Sequence, residues 1–172
     1  MKRITLQLLA LCLAATGFCK PPAPPAEILP KADALPLALD DAFQFRKTSI
    51  FLNDPKKAKV ALNEMINFER TRMNYGAITA YDRQQRYGLY YHFYWRAKRA
   101  ADITIRFEYR QQNLGSYVQA QERAYKAAKG TIESDFAVKG DDYNDQGRVT
   151  AWRALLIENG KIVALNQSFL WD

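Results

Sequence analysis

The side chains able to do chemistry start with a single imidazole, His92, in a chain of 172 residues. Nucleophilic catalysis needs a base beside Ser, Cys or Thr. His92 instead sits mid-run between Tyr91 and Phe93, no Gly-x-Ser-x-Gly elbow occurs, and it reads as an ordinary strand residue. Glycoside hydrolysis needs two acids about 5–10 Å apart. Glu108, Glu133, Asp135, Asp141 and Asp142 are available, but nothing in their spacing marks two of them as partners. Asp142, Asn144, Gln146 and Gly147 imitate the opening of a calcium loop. The position that needs the closing bidentate glutamate is Arg153, so a plain hairpin loop is expected there. Zinc, phosphate-loop and dinucleotide fingerprints are absent from the sequence. No catalytic residue, metal ligand or cofactor is assigned.

One constellation points to binding. If Tyr91, Phe93 and Trp95 face inward, then Tyr90, His92, Tyr94 and Arg96 line the opposite face, with Arg106 and Arg110 expected on a neighbouring strand. Aromatic rings interleaved with guanidinium groups stack on sugars or hold anionic groups. These six residues are the candidate ligand-binding set.

The elements that must position them are strands. After Gly88 no proline occurs, and glycines separate runs of alternating apolar and polar residues. Arg148–Glu158 and Lys161–Trp171 flank Asn159-Gly160, a strong hairpin signal because both residues accept the positive φ of a type I′ turn. A two-residue loop places Glu158 opposite Lys161, Leu156 opposite Val163 and Ala154 opposite Leu165. Trp152, Leu156, Val163, Leu165 and Phe169 are then expected on the core side. Leu89–Lys98 and Asp102–Gln111 read as another pair joined by Arg99–Ala101. The stretch 116–129 is assigned as a strand that pairs with 131–139 across a turn at Ala127–Gly130, although its composition also suits a helix. Ahead of the strands, Asn53 or Asp54 can cap a helix over about 55–72 with Pro55 in its first turn. Ala58, Ala61, Leu62, Met65, Ile66, Phe68 and Met73 give that helix an apolar stripe that must pack on something. Thr79 with Asp82 caps a further short turn.

The expected fold is therefore mostly β: an antiparallel β-sandwich of immunoglobulin-like architecture, with about six strands and one N-terminal amphipathic α-helix. Residues 41–172 form one globular domain, with its strands over about 88–171.

The front of the chain sets the compartment. Lys2 and Arg3 precede the apolar stretch Ile4–Phe18, which is too short to span a bilayer and ends in small residues, so 1–17 reads as a signal peptide. Cleavage falls after Gly17, with Ala15 the near alternative. It takes the formal charge from +7 to +5 and leaves Cys19 as the sole thiol, so no intrachain disulfide forms. Cys19 after an apolar segment and before a proline-rich run resembles the layout of a bacterial lipoprotein, departing from it in Phe18 where a small residue is usual. Cys19 is thus the candidate lipidation site and the one expected link to a membrane. Residues 18–40 hold six of the seven prolines and read as a disordered linker.

Lysines and arginines are dispersed among acids without a basic cluster, so no nucleic-acid partner is expected. Hydrophobic residues at 48% and aromatics at 13% exclude a disordered or collagen-like chain. The expectation is an exported, non-catalytic envelope or secreted module that binds an envelope protein or an anionic polysaccharide. The alternative is a carboxylate-dependent hydrolase of envelope glycans, using Asp135 with Asp141 or Glu108.

Overall fold

The computed structural model describes residues 23–54 and 64–171. The signal peptide, Cys19 and the first half of the expected helix, including Pro55, Ala58, Ala61 and Leu62, lie outside the described residues. Six strands form one antiparallel sheet: β1 (Glu27–Leu29), β2 (Phe43–Asn53), β3 (Gly88–Gln111), β4 (Val118–Lys139), β5 (Val149–Glu158) and β6 (Lys161–Gln167). Three short helices accompany them: α1 (Glu64–Asn74), α2 (Ala80–Gln84) and α3 (Asp141–Gln146). Among the described residues no helix is long and apolar enough to cross a membrane.

Two very long strands organise everything. β3 and β4 form one hairpin whose register runs from Gly88 opposite Lys139 to Arg110 opposite Val118. A straight strand from Tyr91 to Phe107 would span about 50 Å. Their rings lie 4.6 Å apart, and those of Phe93 and Phe107 5.6 Å apart, so the hairpin is doubled over on itself. The fold-over coincides with register breaks between Ala97 and Ile103 on β3. On β4, Ala127 and Gly130 take positive φ there. Asp102 secures the corner: its carboxylate accepts from the Ala127 amide at 2.8 Å and from Lys126 Nζ at 3.1 Å. The result is a two-layered β-sandwich. The front layer is β2 with the first half of β3 and the second half of β4. The back layer is β1, the first half of β4, the second half of β3, β5 and β6. Tyr91, Phe93, Trp95, Ile103, Ile105, Phe107, Phe136, Val138 and Leu156 fill the space between.

The expected antiparallel β-sandwich is present, with several local corrections. Leu89–Lys98 and Asp102–Gln111 are not a hairpin; they are the two halves of β3, meeting face to face through side chains. Val118–Lys139 form one strand, β4, where two strands joined by a turn were expected, because the positive-φ residues bend it without ending it. The turn at Asn159-Gly160 forms as expected, with Glu158 opposite Lys161. A bulge then moves Leu156 opposite Ala164 and Leu155 opposite Leu165. A one-residue slip flips a strand's faces, so Leu165 turns outward at 41% exposure, while Phe169 lies exposed in a closing 3₁₀ turn. The loop expected after β4 is the single helical turn α3, and it crosses over to β5 on the far side of β3.

Two N-terminal features complete the fold. Asn53 ends β2, is buried, and donates through Nδ2 to the Arg86 carbonyl at 2.9 Å, while the start of the helix that Asn53 or Asp54 was expected to cap lies outside the described residues. Residues 24–40, assigned to the linker, are docked on the sheet. β1 pairs with β4, the Ala38 and Asp40 amides donate to the carbonyls of Ile162 and Val163, and Leu35 packs on Leu155, Ile157 and Ile162. The α2 cap is as expected, with Thr79 and Asp82 satisfying each other's backbone amides.

Phe107 touches both halves of the core. Phe107→Ala is expected to cost about 3–5 kcal/mol, read as a lower urea midpoint at unchanged slope. A loss below about 1 kcal/mol would mean that the halves of β3 do not stack as described.

Candidate functional site

Alternation along the front half of β3 sends Tyr91, Phe93 and Trp95 inward and Tyr90, His92, Tyr94 and Arg96 outward. Cross-strand pairing adds the neighbours on that outer face. Ser49 and Asp135 flank His92, Lys47 and Glu133 flank Tyr94, and Phe51 and Ala137 flank Tyr90. Helix α1 lies over this ladder. Between them runs a groove of about 460 Å³, with Met65, Phe68, Glu69 and Arg72 on the helix side and His92, Tyr94 and Glu133 on the sheet side.

The polar groups on the sheet are mutually bonded. His92 Nδ1 lies 2.6 Å from Asp135 Oδ1 and 3.7 Å from Glu133 Oε1, and the Tyr94 hydroxyl donates to Glu133 Oε1 at 2.8 Å. A carboxylate only accepts, so Nδ1 carries the shared proton. The bond to Asp135 raises the His92 pKa above its ordinary value, outweighing partial burial, and the same bond lowers that of Asp135. The bond to Glu133 raises the Tyr94 phenol. Tyr90, raised by burial, donates its hydroxyl to the Arg86 carbonyl at 2.8 Å. Among the described residues, His92, Glu133 and Asp135 are the group of three whose candidate ligand atoms all lie within 4.8 Å of one another.

The expected six-residue set divides. Arg96 is exposed on the same face as Tyr90, His92 and Tyr94. Arg106 and Arg110 stand on β3 itself, and the fold-over carries them to the outer face of the back layer. There Arg106 is nearly buried. Its Nε donates to Glu122 at 2.5 Å and its Nη1 to the Asp33 carbonyl at 2.8 Å. Glu108, 2% exposed, lies between Arg106 at 3.7 Å and Arg153 at 2.6 Å. The guanidinium groups of Arg110 and Arg153 lie 4.7 and 4.8 Å from the Trp171 ring. These arginines hold the C-terminal turn and the N-terminal segment against the sheet.

Sequence reasoning named Glu133 and Asp135 among the acids but brought neither of them to His92, pairing Asp135 instead with Asp141 or Glu108. The signal was alternation in both runs, and it became usable only once β3 and β4 were known to pair along their full length. The helix side of the groove went unrecognised for the opposite reason. The stripe of Met65, Ile66 and Phe68 reads as core, yet α1 buries none of its residues. Phe68 is 65% exposed.

No family model matches the sequence, and no curated protein does. A crystal structure of a protein from Akkermansia muciniphila is similar over 73% of this chain and 68% of its own, at 12% identity and a TM-score of 0.46. At that level it carries no inference about this chain's activity.

The ion pair sets a pH dependence. A raised His92 pKa contributes stability that is full below the unfolded value near 6.5 and fades as pH rises through the folded one. The lowered Asp135 pKa contributes stability present above 3.8 and lost as pH falls through its folded value. Because His92 is the sole imidazole, its ring-proton titration by NMR is unambiguous. The midpoint is expected above 6.5 and lower in Asp135→Asn; equal midpoints would disprove the pair. On the other layer, Glu108→Ala takes the carboxylate from Arg153 Nε and loosens Arg106, which keeps Glu122, and is expected to cost about 1–3 kcal/mol by urea unfolding. A neutral result would show that Arg106 and Arg153 do not depend on it.

Proposed function

We propose that the chain is an exported, non-catalytic binding module of the cell envelope or extracellular space, and that the groove beneath α1 receives a protein partner. The observation that carries this reading is the make-up of the groove. Met65 and Phe68 are 74% and 65% exposed on its helix side, opposite a floor of His92, Tyr94 and Glu133 that is already hydrogen-bonded and held on strands. Exposed apolar side chains beside fixed polar groups are what a protein surface complements, with aromatic anchors contributing most of the affinity.

An anionic polysaccharide suits the face less well. Glu133 and Asp135 stand where its charges would lie, and Arg106 is engaged by Glu122 and Asp33 while Arg110 packs on Trp171. The hydrolase alternative also has weaker support. Asp135 is bonded to His92, Asp141 accepts from Gln85 Nε2 at 2.7 Å, and Glu108 is enclosed by arginines on the back layer. Support for export comes from Lys2, Arg3 and the apolar run Ile4–Phe18.

Two measurements test the proposal. Mass spectrometry of the chain recovered from its own cells is expected to give an N-terminus at Phe18 or at a lipid-modified Cys19. An unprocessed chain starting at Met1 in the cytoplasm would refute export. The double substitution Met65→Ser with Phe68→Ser is expected to reduce retention of an envelope-fraction protein about tenfold or more. Tyr117→Ser, on exposed surface elsewhere, is expected to leave it unchanged. Equal retention by the groove variant would refute the groove as the docking surface.

A further inference from the structure

We propose that His92, Glu133 and Asp135 form a binding site for one divalent first-row transition-metal ion of the zinc or manganese kind. The inference does not rest on the protein partner proposed above.

The donor set selects the ion class. Two carboxylates alone would suit magnesium or calcium, whereas an imidazole added to them favours a borderline metal. Placement follows from the pairing. Asp135 is directly opposite His92 across the ladder, and Glu133, two residues along the same strand, is on the same face. All three sit on adjacent hydrogen-bonded strands backed by core side chains, a firmer mounting than a loop provides.

The distances fit a bound ion after small movements. Metal–ligand bonds of about 2.0–2.2 Å put neighbouring ligand atoms roughly 3.0–3.5 Å apart. His92 Nδ1 is 2.6 Å from Asp135 and 3.7 Å from Glu133, so one contact must lengthen and the other shorten by less than about an ångström, while the carboxylate oxygens of Glu133 and Asp135, within 4.8 Å of each other, must draw together wherever they exceed about 3.5 Å. The ion takes the place of the Nδ1 proton, and the ring keeps its proton at Nε2. Glu133 is oriented from outside by the Tyr94 hydroxyl at 2.8 Å, the kind of outer contact that steadies a ligating carboxylate.

Arg72, the guanidinium on the helix side of the groove, is held by Glu69 at 2.9 Å, and the two carboxylates offset the charge that Arg72 and Arg123 exert on Asp135. His92 and Glu133 both line the groove, so the coordination positions that three protein ligands leave open face it and can take water or a group from a bound molecule.

The test uses the full chain with Cys12→Ser and Cys19→Ser, which removes thiolate as a competing ligand. Zinc chloride and manganese chloride are titrated in turn by calorimetry. One ion per chain is expected for at least one of the metals, with affinity in the micromolar range or tighter. His92→Gln, Glu133→Gln and Asp135→Asn are each expected to weaken binding by about tenfold or more, and Tyr94→Phe by a smaller factor. Circular dichroism identifies any variant that fails to fold, in which case the remaining ligand variants decide. The inference is overturned if neither metal binds one-to-one below about 100 μM. It is equally overturned if folded ligand variants bind as well as the parent, or if binding is present only when the cysteines are restored.

Discussion

The contact on which the structure depends is the stacking of one strand's two halves against each other. Tyr91 and Phe93 meet Phe107 because β3 and its partner β4 fold over together at Ala97–Ile103 and Ala127–Gly130. Doubling over gives each half an apolar face to cover, and among the described residues no cysteine takes part in the core. Trp152 and Phe136 join the same aromatic stack. The corner itself is held by polar groups, with the Asp102 carboxylate on the Ala127 amide at the residue whose positive φ costs most without glycine.

The same fold-over divides the charged groups between two outer surfaces with different work. On the back layer, Arg106, Glu108, Glu122 and Arg153 form a largely buried ion-pair network, and Arg110 and Arg153 enclose Trp171. Removing one member of such a network leaves a buried charge unpaired, so those residues hold the chain ends in place. On the front layer, His92, Tyr94, Glu133 and Asp135 are bonded to one another and remain reachable through the groove under α1. Fixed polar groups beside an exposed apolar helix face are the feature on which the proposed binding role rests.

Much of the site was legible residue by residue. Alternation placed Tyr90, His92, Tyr94 and Arg96 on one face and Tyr91, Phe93 and Trp95 in the core, because side chains of a strand alternate whatever the strand packs against. Asn159-Gly160 specified its turn because two adjacent positive φ values select those residues. What local pattern could not supply was where a run stops. Arg99–Ala101 and the Ala127–Gly130 stretch look like hairpin turns, yet they are bends within continuous strands, since the choice depends on which distant strand completes the ladder. That error put Arg106 and Arg110 beside His92, when the fold-over carries them to the other layer.

Determined by the sequence itself were the strand-rich class, the inward and outward sets within each run, the Asn159-Gly160 turn and the Thr79–Asp82 cap. Each depends on neighbours within a few residues. Decided only by the tertiary structure were the doubling of β3 and β4, the bulge that turns Leu165 outward, the docking of residues 24–40 and the meeting of His92 with Asp135 and Glu133. Those last side chains are about forty residues apart in the chain, and only a long hairpin register brings them within hydrogen-bond reach.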